Sequence, residues 1–292
     1  MRLALAIAAT ASCDPSEFLH ALCIGGLLRH PDIAIYIAHD RQFPMRGVPA
    51  EVTLCPQPDG TPLPRLWGAA IARAEATYIA VLDIRCPPAL GWKEAALAEV
   101  DAGTQSFFGP VEPDFSIRDI RNVGYLIEYA QFHRPLSFRL LEVPGNNLVL
   151  RREFMGNSEV LKRDGFFKTF TLIRLARAGQ PPPKPVEQMI VRYRKPFAFR
   201  RYCLQRFNHG RSFAARRLRA PGHPSKLLAI VFTPALPILR IWRIARWVSR
   251  IPQYRIALCK TVHLILAAET CWSAGELLGY LAGEGRSEEL LE

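Results

Sequence analysis

Three stretches of the chain are apolar at nearly every position instead of at alternate ones: LALAIAA at 3–9, DIAIYIAHD at 32–40 and TYIAVLD at 77–83. Continuous apolar runs of this length, bounded by turn residues, fit strands covered on both faces. Between them lie segments of helical length at 16–28 and 65–76, and a short strand, VTLC, at 52–55 precedes the Pro/Gly loop PQPDGTPLP at 56–64. Asp14 or Ser12 is placed to cap the first helix, with Pro15 in its opening turn. Apolar strands alternating with helices predict an α/β fold with a mostly parallel sheet and helices on both faces. The opening residues MRLALAIAATASCDPS also look like a secretion signal with a lipoprotein-like Cys13. A single Arg, a short apolar core and Thr10 in place of a large aliphatic residue favour the buried strand.

The pattern is less regular beyond residue 86. It predicts a helix at 92–100, a strand at 105–113, a helix at 120–132, a tight turn into a strand at 144–154 and a helix at 169–178. Gly179 and QPPPKP end that last helix. After 190 the character changes. RYRKPFAFRRYCLQRFNHGRSFAARRLR (192–219) is basic and aromatic, and LLAIVFTPALPIL (227–239) is uncharged, broken by Pro234 and Pro237, and too short to span a bilayer. RIWRIARWVSR (240–250) sets Arg240, Arg243, Arg246 and Arg250 at helical spacing among Trp242 and Trp247. A last apolar stretch, 256–268, is interrupted by Lys260 and His263. Basic helices with interfacial tryptophans predict a shallow membrane-surface hairpin. The expected organisation is a globular domain over 1–190 and a basic helical membrane-associated segment over 191–292.

Composition sharpens this reading. With 49% hydrophobic residues in 292 the chain can bury a full core, which excludes intrinsic disorder. The net charge of +12 is concentrated: 188–268 holds 17 Lys/Arg and no Asp or Glu, leaving the rest net acidic. Such a belt seeks nucleic acid, phospholipid headgroups or a phosphorylated ligand. The apolar helices that follow favour phospholipid, and nucleic acid is the least favoured partner. Seven cysteines without a CxxC pair read as reduced thiols, with Cys86 a small buried hydrophobe.

Asp40 and Asp83 end two of the apolar strands, and parallel sheets bind ligands at their carboxyl ends. At this point an ordered series of segments resembles the family-two glycosyltransferases of the GT-A fold, in their membrane-associated subgroup. LPRLWGAAIARA (63–74) resembles the helix before the central strand, and YIAVLDIRCPPALGW (78–92) the strand carrying the DxD motif. PGNNLVLRRE (144–153) resembles the acceptor-side strand, and FFKTFTLIRLARAG (166–179) the helix that opens with the catalytic acid. QRFNHGRSFAARR (205–217) and WSAGELLGYLAG (272–283) resemble the C-terminal segments. The resemblance implies transfer of a sugar from a nucleotide sugar, a UDP-sugar first, to a lipid-linked or polysaccharide acceptor on the cytoplasmic side of the inner membrane. It assigns Asp40, Arg65, Asp83 and Arg85 to the nucleotide sugar, Glu112, Asn146 and Asn147 to the acceptor side, and His209 and Arg211 to the diphosphate.

Two positions depart from that family pattern. Arg85 stands where the second DxD acid belongs, which disfavours Mg²⁺ or Mn²⁺ and leaves Asp83 as the ligand if a metal is used. Lys168 occupies the catalytic-acid position. Three readings stay open: Arg85 replaces the ion and binds phosphate through its fork; turnover is lost and the chain is a membrane-bound partner of polysaccharide-synthesis proteins; or Glu159 or Asp164 is the base. Simpler roles stand beside the assigned ones: a loop acid for Glu112, turn residues for Asn146 and Asn147, a basic helix face for His209 and Arg211, packing anchors for Trp92 and Trp272.

Overall fold

All seven residues of β1 (Leu3–Ala9) are sealed from solvent, because the strand lies inside a sheet with neighbours on both edges and cover on both faces. In the computed structural model, residues 1–10, 14–40, 43, 47–136, 142–219 and 225–291 are described. Ser12 and Cys13 lie outside them; of the stretch read as a possible export signal, Leu3–Ala9 form β1, between β2 and β4.

The other strands are β2 (Ile33–Asp40), β3 (Val52–Gln57), β4 (Tyr78–Asp83), β5 (Ser106–Phe108), β6 (Val111–Pro113), β7 (Asn147–Arg151), β8 (Lys184–Pro185) and β9 (Val191–Tyr193). Seven form one sheet in the order β3-β2-β1-β4-β7-β5-β8, and β6 pairs with β9 in a separate ribbon. The β1–β4 strands are mutually parallel, and β7 runs antiparallel between β4 and β5. The α/β class expected from the apolar runs is the class observed. The chain winds outward from β1 to β3 and then crosses back to β4, so the order reverses between β1 and β4. Ligands of open α/β sheets bind outside the carboxyl ends of the strands at such a reversal.

The helices of this part are α1 (Ser16–Ile24), α2 (Leu63–Arg73) and α3 (Trp92–Asp101), followed further on by α4 (Asn122–Glu128), α5 (Ser158–Asp164) and α6 (Lys168–Arg177). The α1 helix stops four residues earlier than its spacing predicts, at Gly25-Gly26, where Gly26 has φ +62°. The single strand expected at 105–113 divides into β5 and β6. Pro110 offers no N–H, and Gly109 runs so close to the Met189 carbonyl that a Cβ there would lie 1.7 Å from it. The helix expected at 120–132 is α4 followed by a short 3-10 turn, Ala130–Phe132.

The chain divides into two compact units, Met1–Asp114 with Phe132–Arg194, and Phe115–Gln131 with Lys195–Glu292. Residues 115–131, expected within the first domain, therefore belong with the C-terminal helices. The second unit adds α7 (Phe199–Arg219), α8 (Lys226–Phe232), α9 (Leu236–Val248) and α10 (Pro252–Ala282) to α4. The α7 and α10 helices lie side by side in the same direction: a Cβ on Gly275 would stand 2.0 Å from the Phe207 carbonyl oxygen, and one on Gly279 2.4 Å from that of Arg211. The helical stretch Lys226–Val248 continues through both prolines. At 23 residues it is long and apolar enough to cross a bilayer by length and composition, longer than the uncharged run alone suggests.

Candidate functional site

The carboxyl edge of the parallel strands can be assembled from the pairing register. Asp83 closes β4 opposite Ala8, Ala8 lies opposite Ala38, and Asp40 ends β2 two residues further on. With strands about 4.8 Å apart and a rise of about 3.3 Å per residue, the two acids stand roughly 12 Å apart across β1. On the other side of β4 the last pair is Leu82 with Asn147, which sets Asn146 beside Asp83. The register thus gathers Asp40, Asp83 and Asn146 at one edge.

Asp83 is completely buried. Its Oδ1 accepts from the Arg85 backbone N–H and Nε, each at 2.9 Å, and its Oδ2 accepts from Arg85 Nη2 at 3.0 Å. The backbone bond is an Asx turn, which explains why a short acid followed two residues later by arginine can close on itself. Asp83 therefore holds the fork of Arg85. A divalent ion does not fit these residues. Both carboxylate oxygens already accept from a guanidinium, and among the described residues no three His, Cys, Asp or Glu side chains gather into a metal-binding group.

Asn146 is 1% exposed, and its side-chain Nδ2 and Oδ1 are both buried without a partner. A buried carboxamide with neither end satisfied is costly, and such groups mark places where a ligand or water completes the bonding. Asn147 differs. Its Oδ1 accepts from Trp92 Nε1 at 2.9 Å, and its Nδ2 donates to the carbonyls of Pro110 at 3.0 Å and Met189 at 2.6 Å. Both of its N–H donors are used inside the fold, so it is an internal tie, contrary to its expected place on the acceptor side. Trp92, which it holds, is the packing anchor expected.

Lys168 opens α6 and donates to the Val143 carbonyl. Its stem runs past Gly145, where a Cβ would lie 3.3 Å from Lys168 Cδ, and its ammonium lies 5.5 Å from the Phe132 ring centre. The lysine stem therefore runs beside the turn that leads into Asn146, with its ammonium on the Val143 carbonyl. A lysine in the first turn of a helix opposes the helix dipole by about 0.3–1 kcal/mol. Arg65, in the first turn of α2, is exposed. Two residues later Trp67 Nε1 donates to the Leu82 carbonyl at 2.7 Å, which pins this end of α2 to the close of β4.

The fallback bases lie at opposite ends of α5: Asp164 precedes Gly165, which packs against Pro64 and Arg65 at the start of α2, and Glu159 lies at the far end. Glu159 lies in the first turn of α5, 80% exposed and paired with Lys162 at 2.8 Å. Its neighbour Ser158 is held by Arg152, whose backbone N–H bonds Thr77 at the opposite end of β4. Asp164 is paired with Arg163 at 2.8 Å on the exposed side of α5.

Glu112 and Arg192 face each other in the β6–β9 ribbon. Glu112 accepts from Arg134 through both oxygens, at 2.5 and 3.0 Å, and from Arg192 at 3.1 Å. Burial opposes ionisation of this carboxyl, but Arg134, His133 and Arg192 outweigh it and hold Glu112 below the usual glutamate range. Burial lowers His133 below the ordinary histidine value, against the pull of Glu112. His209 and Arg211 belong to the second unit, where their described contacts are with α10 and its end. The His209 ring lies 5.2 Å from Trp272, and Arg211 Nε donates to the Gly283 carbonyl at 2.9 Å.

Sequence reading missed His39, Trp67 and Arg134. His39 is buried, its Nδ1 lies 2.7 Å from the Asp40 carbonyl, and its Nε2 has no partner. Its place beside Asp40 was the only available signal; Arg134 had none, being 22 residues from Glu112.

No protein-family model matches the chain, and no curated protein matches it. A mannosyltransferase stands among the solved structures it resembles. That is PcManGT from Pyrobaculum calidifontis in complex with GDP-Man and Mn²⁺, at 13% identity and TM-score 0.49, covering 98% of this chain and 86% of that one. S. aureus TarS 1–349 in complex with UDP-GlcNAc aligns at 10% identity and TM-score 0.46, over 100% of this chain and 93% of that one. Overlaps at these levels carry no inference about what this chain binds; its architecture rests on its own strand order.

Proposed function

We propose that the first unit is a GT-A-type nucleotide-sugar domain and that the protein is a glycosyltransferase. It would move a sugar from a nucleotide sugar, a UDP-sugar first, to a lipid-linked or polysaccharide acceptor at the cytoplasmic face of the inner membrane. The observation that carries this reading is the Asp83–Arg85 fork at the sheet's reversal point, beside the unsatisfied Asn146. A nucleoside diphosphate can bridge from Asp40 to this fork. Asp83 orients Arg85, and the guanidinium and Lys168 supply positive charge where the departing diphosphate develops its own, without a metal. Asn146 offers a carboxamide to a sugar or acceptor hydroxyl.

A second reading has a specific observation behind it. An ammonium held as donor to Val143 cannot accept a proton from an acceptor hydroxyl, and Glu112 is already bound by two arginines. The chain would then bind the nucleotide sugar without turnover and serve as a membrane-bound partner of polysaccharide-synthesis proteins.

Membrane attachment is supported by the second unit's surface. Leu227, Leu228, Val231, Phe232, Ile238 and Trp242 are 54–69% exposed along Lys226–Val248, and Arg246 and Arg250 are exposed beside them. We place this stretch on the bilayer surface, since α9 interleaves arginines with tryptophans, Arg243 over Trp247 at 5.1 Å and Arg246 over Trp242 at 5.7 Å.

Calorimetric titration of the full chain with UDP, UDP-sugars and GDP-mannose, each with Mn²⁺ and with EDTA, tests the nucleotide claim. The expected result is binding that EDTA leaves unchanged and Arg85→Ala weakens at least tenfold. Absence of nucleotide binding under every condition sinks both readings. Binding without transfer or hydrolysis of any bound sugar nucleotide selects the partner.

A further inference from the structure

The second unit contains a pair of thiols that neither reading uses. Along the α7–α10 seam, Phe207 meets Gly275 and Arg211 meets Gly279, so residues 68 apart in sequence stand level with each other. Cys203 and Cys271 keep the same offset one turn earlier. They sit where the backbones are too close to admit a Cβ at the next level, and Arg206 bonds Glu269 at 2.7 Å alongside. The Cys271 sulfur is close enough to be among the groups that raise the Cys203 thiol. A disulfide requires Cα atoms about 4.4–6.8 Å apart, an approach the proposal asks of the seam one turn before the Phe207–Gly275 contact. Both cysteines are partly buried, whereas Cys55 and Cys86 are buried and Cys23 and Cys259 lie out on the surface.

We propose that Cys203 and Cys271 form a thiol–disulfide exchange site, closed by a small disulfide such as oxidised glutathione into a cross-link between α7 and α10. Burial, with the neighbouring Cys271 sulfur, pushes the Cys203 thiol up to about 11, so Cys203 is protonated at neutral pH, and we assign the first attack to Cys271. The Cys271 thiolate attacks one sulfur of oxidised glutathione, breaks its S–S bond and releases one glutathione thiol. Cys203 then gives its proton to solvent, attacks the Cys271 sulfur of the mixed disulfide and expels the second glutathione. Two protein thiols and one glutathione disulfide become one protein disulfide and two glutathione thiols, with two electrons passing to the oxidant. Closure quickens as pH rises towards the Cys203 value.

The experiment incubates the reduced full-length chain with oxidised glutathione at mildly alkaline pH, blocks remaining thiols with N-ethylmaleimide, and maps tryptic peptides by mass. The expected product joins peptide 202–206 to peptide 261–286, disappears with dithiothreitol, and forms far more slowly in urea. In Cys203→Ser, glutathione stays on Cys271 and no cross-link forms. Separate glutathione adducts on both cysteines of the wild-type chain overturn the proposal. So does failure of both to react while Cys23 and Cys259 are modified, or a cross-link formed as readily in urea.

Discussion

At the scale of single residues, the Asp83–Arg85 pair is the most consequential interaction, because Asp83 has no exposure to water. Arg85→Ala takes the guanidinium from a buried carboxylate, which keeps the backbone N–H of residue 85, and breaking such an ion pair costs about 3–5 kcal/mol. Removing both charges in Asp83→Ala/Arg85→Ala is expected to recover much of that loss in denaturant unfolding, since the desolvation penalty goes too. Equal losses in the single and double variants would show that the pair contributes nothing beyond Arg85 itself. The Glu112 cluster sets a pH dependence whose sign follows from its depressed groups. Both Glu112 and His133 bind protons more readily unfolded than folded. Stability therefore rises with pH through the range where they titrate. His133 contributes stability present above the ordinary histidine range and lost as pH falls below it; Glu112 adds a second loss as pH falls through its depressed value. Thermal melts across pH should show both steps, and Glu112→Gln should remove only the lower one.

At the scale of elements, two glycines decide whether α7 and α10 can meet. Gly275→Ala would drive a methyl group against the Phe207 carbonyl, and overpacking costs about 1–3 kcal/mol or more when backbone must move. Gly60→Ala has open space around it and only a φ of +72° to strain, so about 1 kcal/mol is expected. A melt in which the two variants lose the same stability would contradict the seam. The helices α7, α9 and α10 also converge on Trp272, whose ring lies 4.1 Å from the Arg206 guanidinium and 4.5 Å from that of Arg240. Glu269 sits 2.7 Å from Arg206 and 3.4 Å from Arg240. Helical character here was legible from 3.6-residue spacing. The parallel pairing was not, since nothing local in GEL or FNHG says that one glycine stands against the other helix's carbonyl.

At the scale of the whole molecule, the acids that follow the basic belt alter what the belt is for. Arg206, Arg216, Arg219 and Arg240 pair with Glu269, Glu288, Glu284 and, for Arg240, Glu276 as well. Part of the charge excess is thus a helix-joining network, and the remainder, including Arg246, Arg250, Arg255 and Lys260, faces outward. Membrane binding should depend on that outward set alone. Co-sedimentation with anionic vesicles is expected to be strong, to weaken with salt, and to fall at least tenfold in Arg246→Glu/Arg250→Glu. Equal binding to neutral vesicles or to RNA would show that the surface reads something other than anionic lipid.

The sequence alone determined the buried strands and the acids that end them. A continuous apolar run is a local property, and a strand covered on both faces needs nothing more to declare itself. It also located Arg85 and Lys168 where carboxylates were expected. Tertiary structure decided what these residues touch: Arg85 turns back onto Asp83, the β4–β7 register brings Asn146 beside it, and the fold closes Asn147 and Glu112 onto internal partners. It likewise turned a run of cations into a partly neutralised helix core. The reason is physical: burial preferences are written in each segment, but register and charge pairing depend on which distant segment arrives alongside.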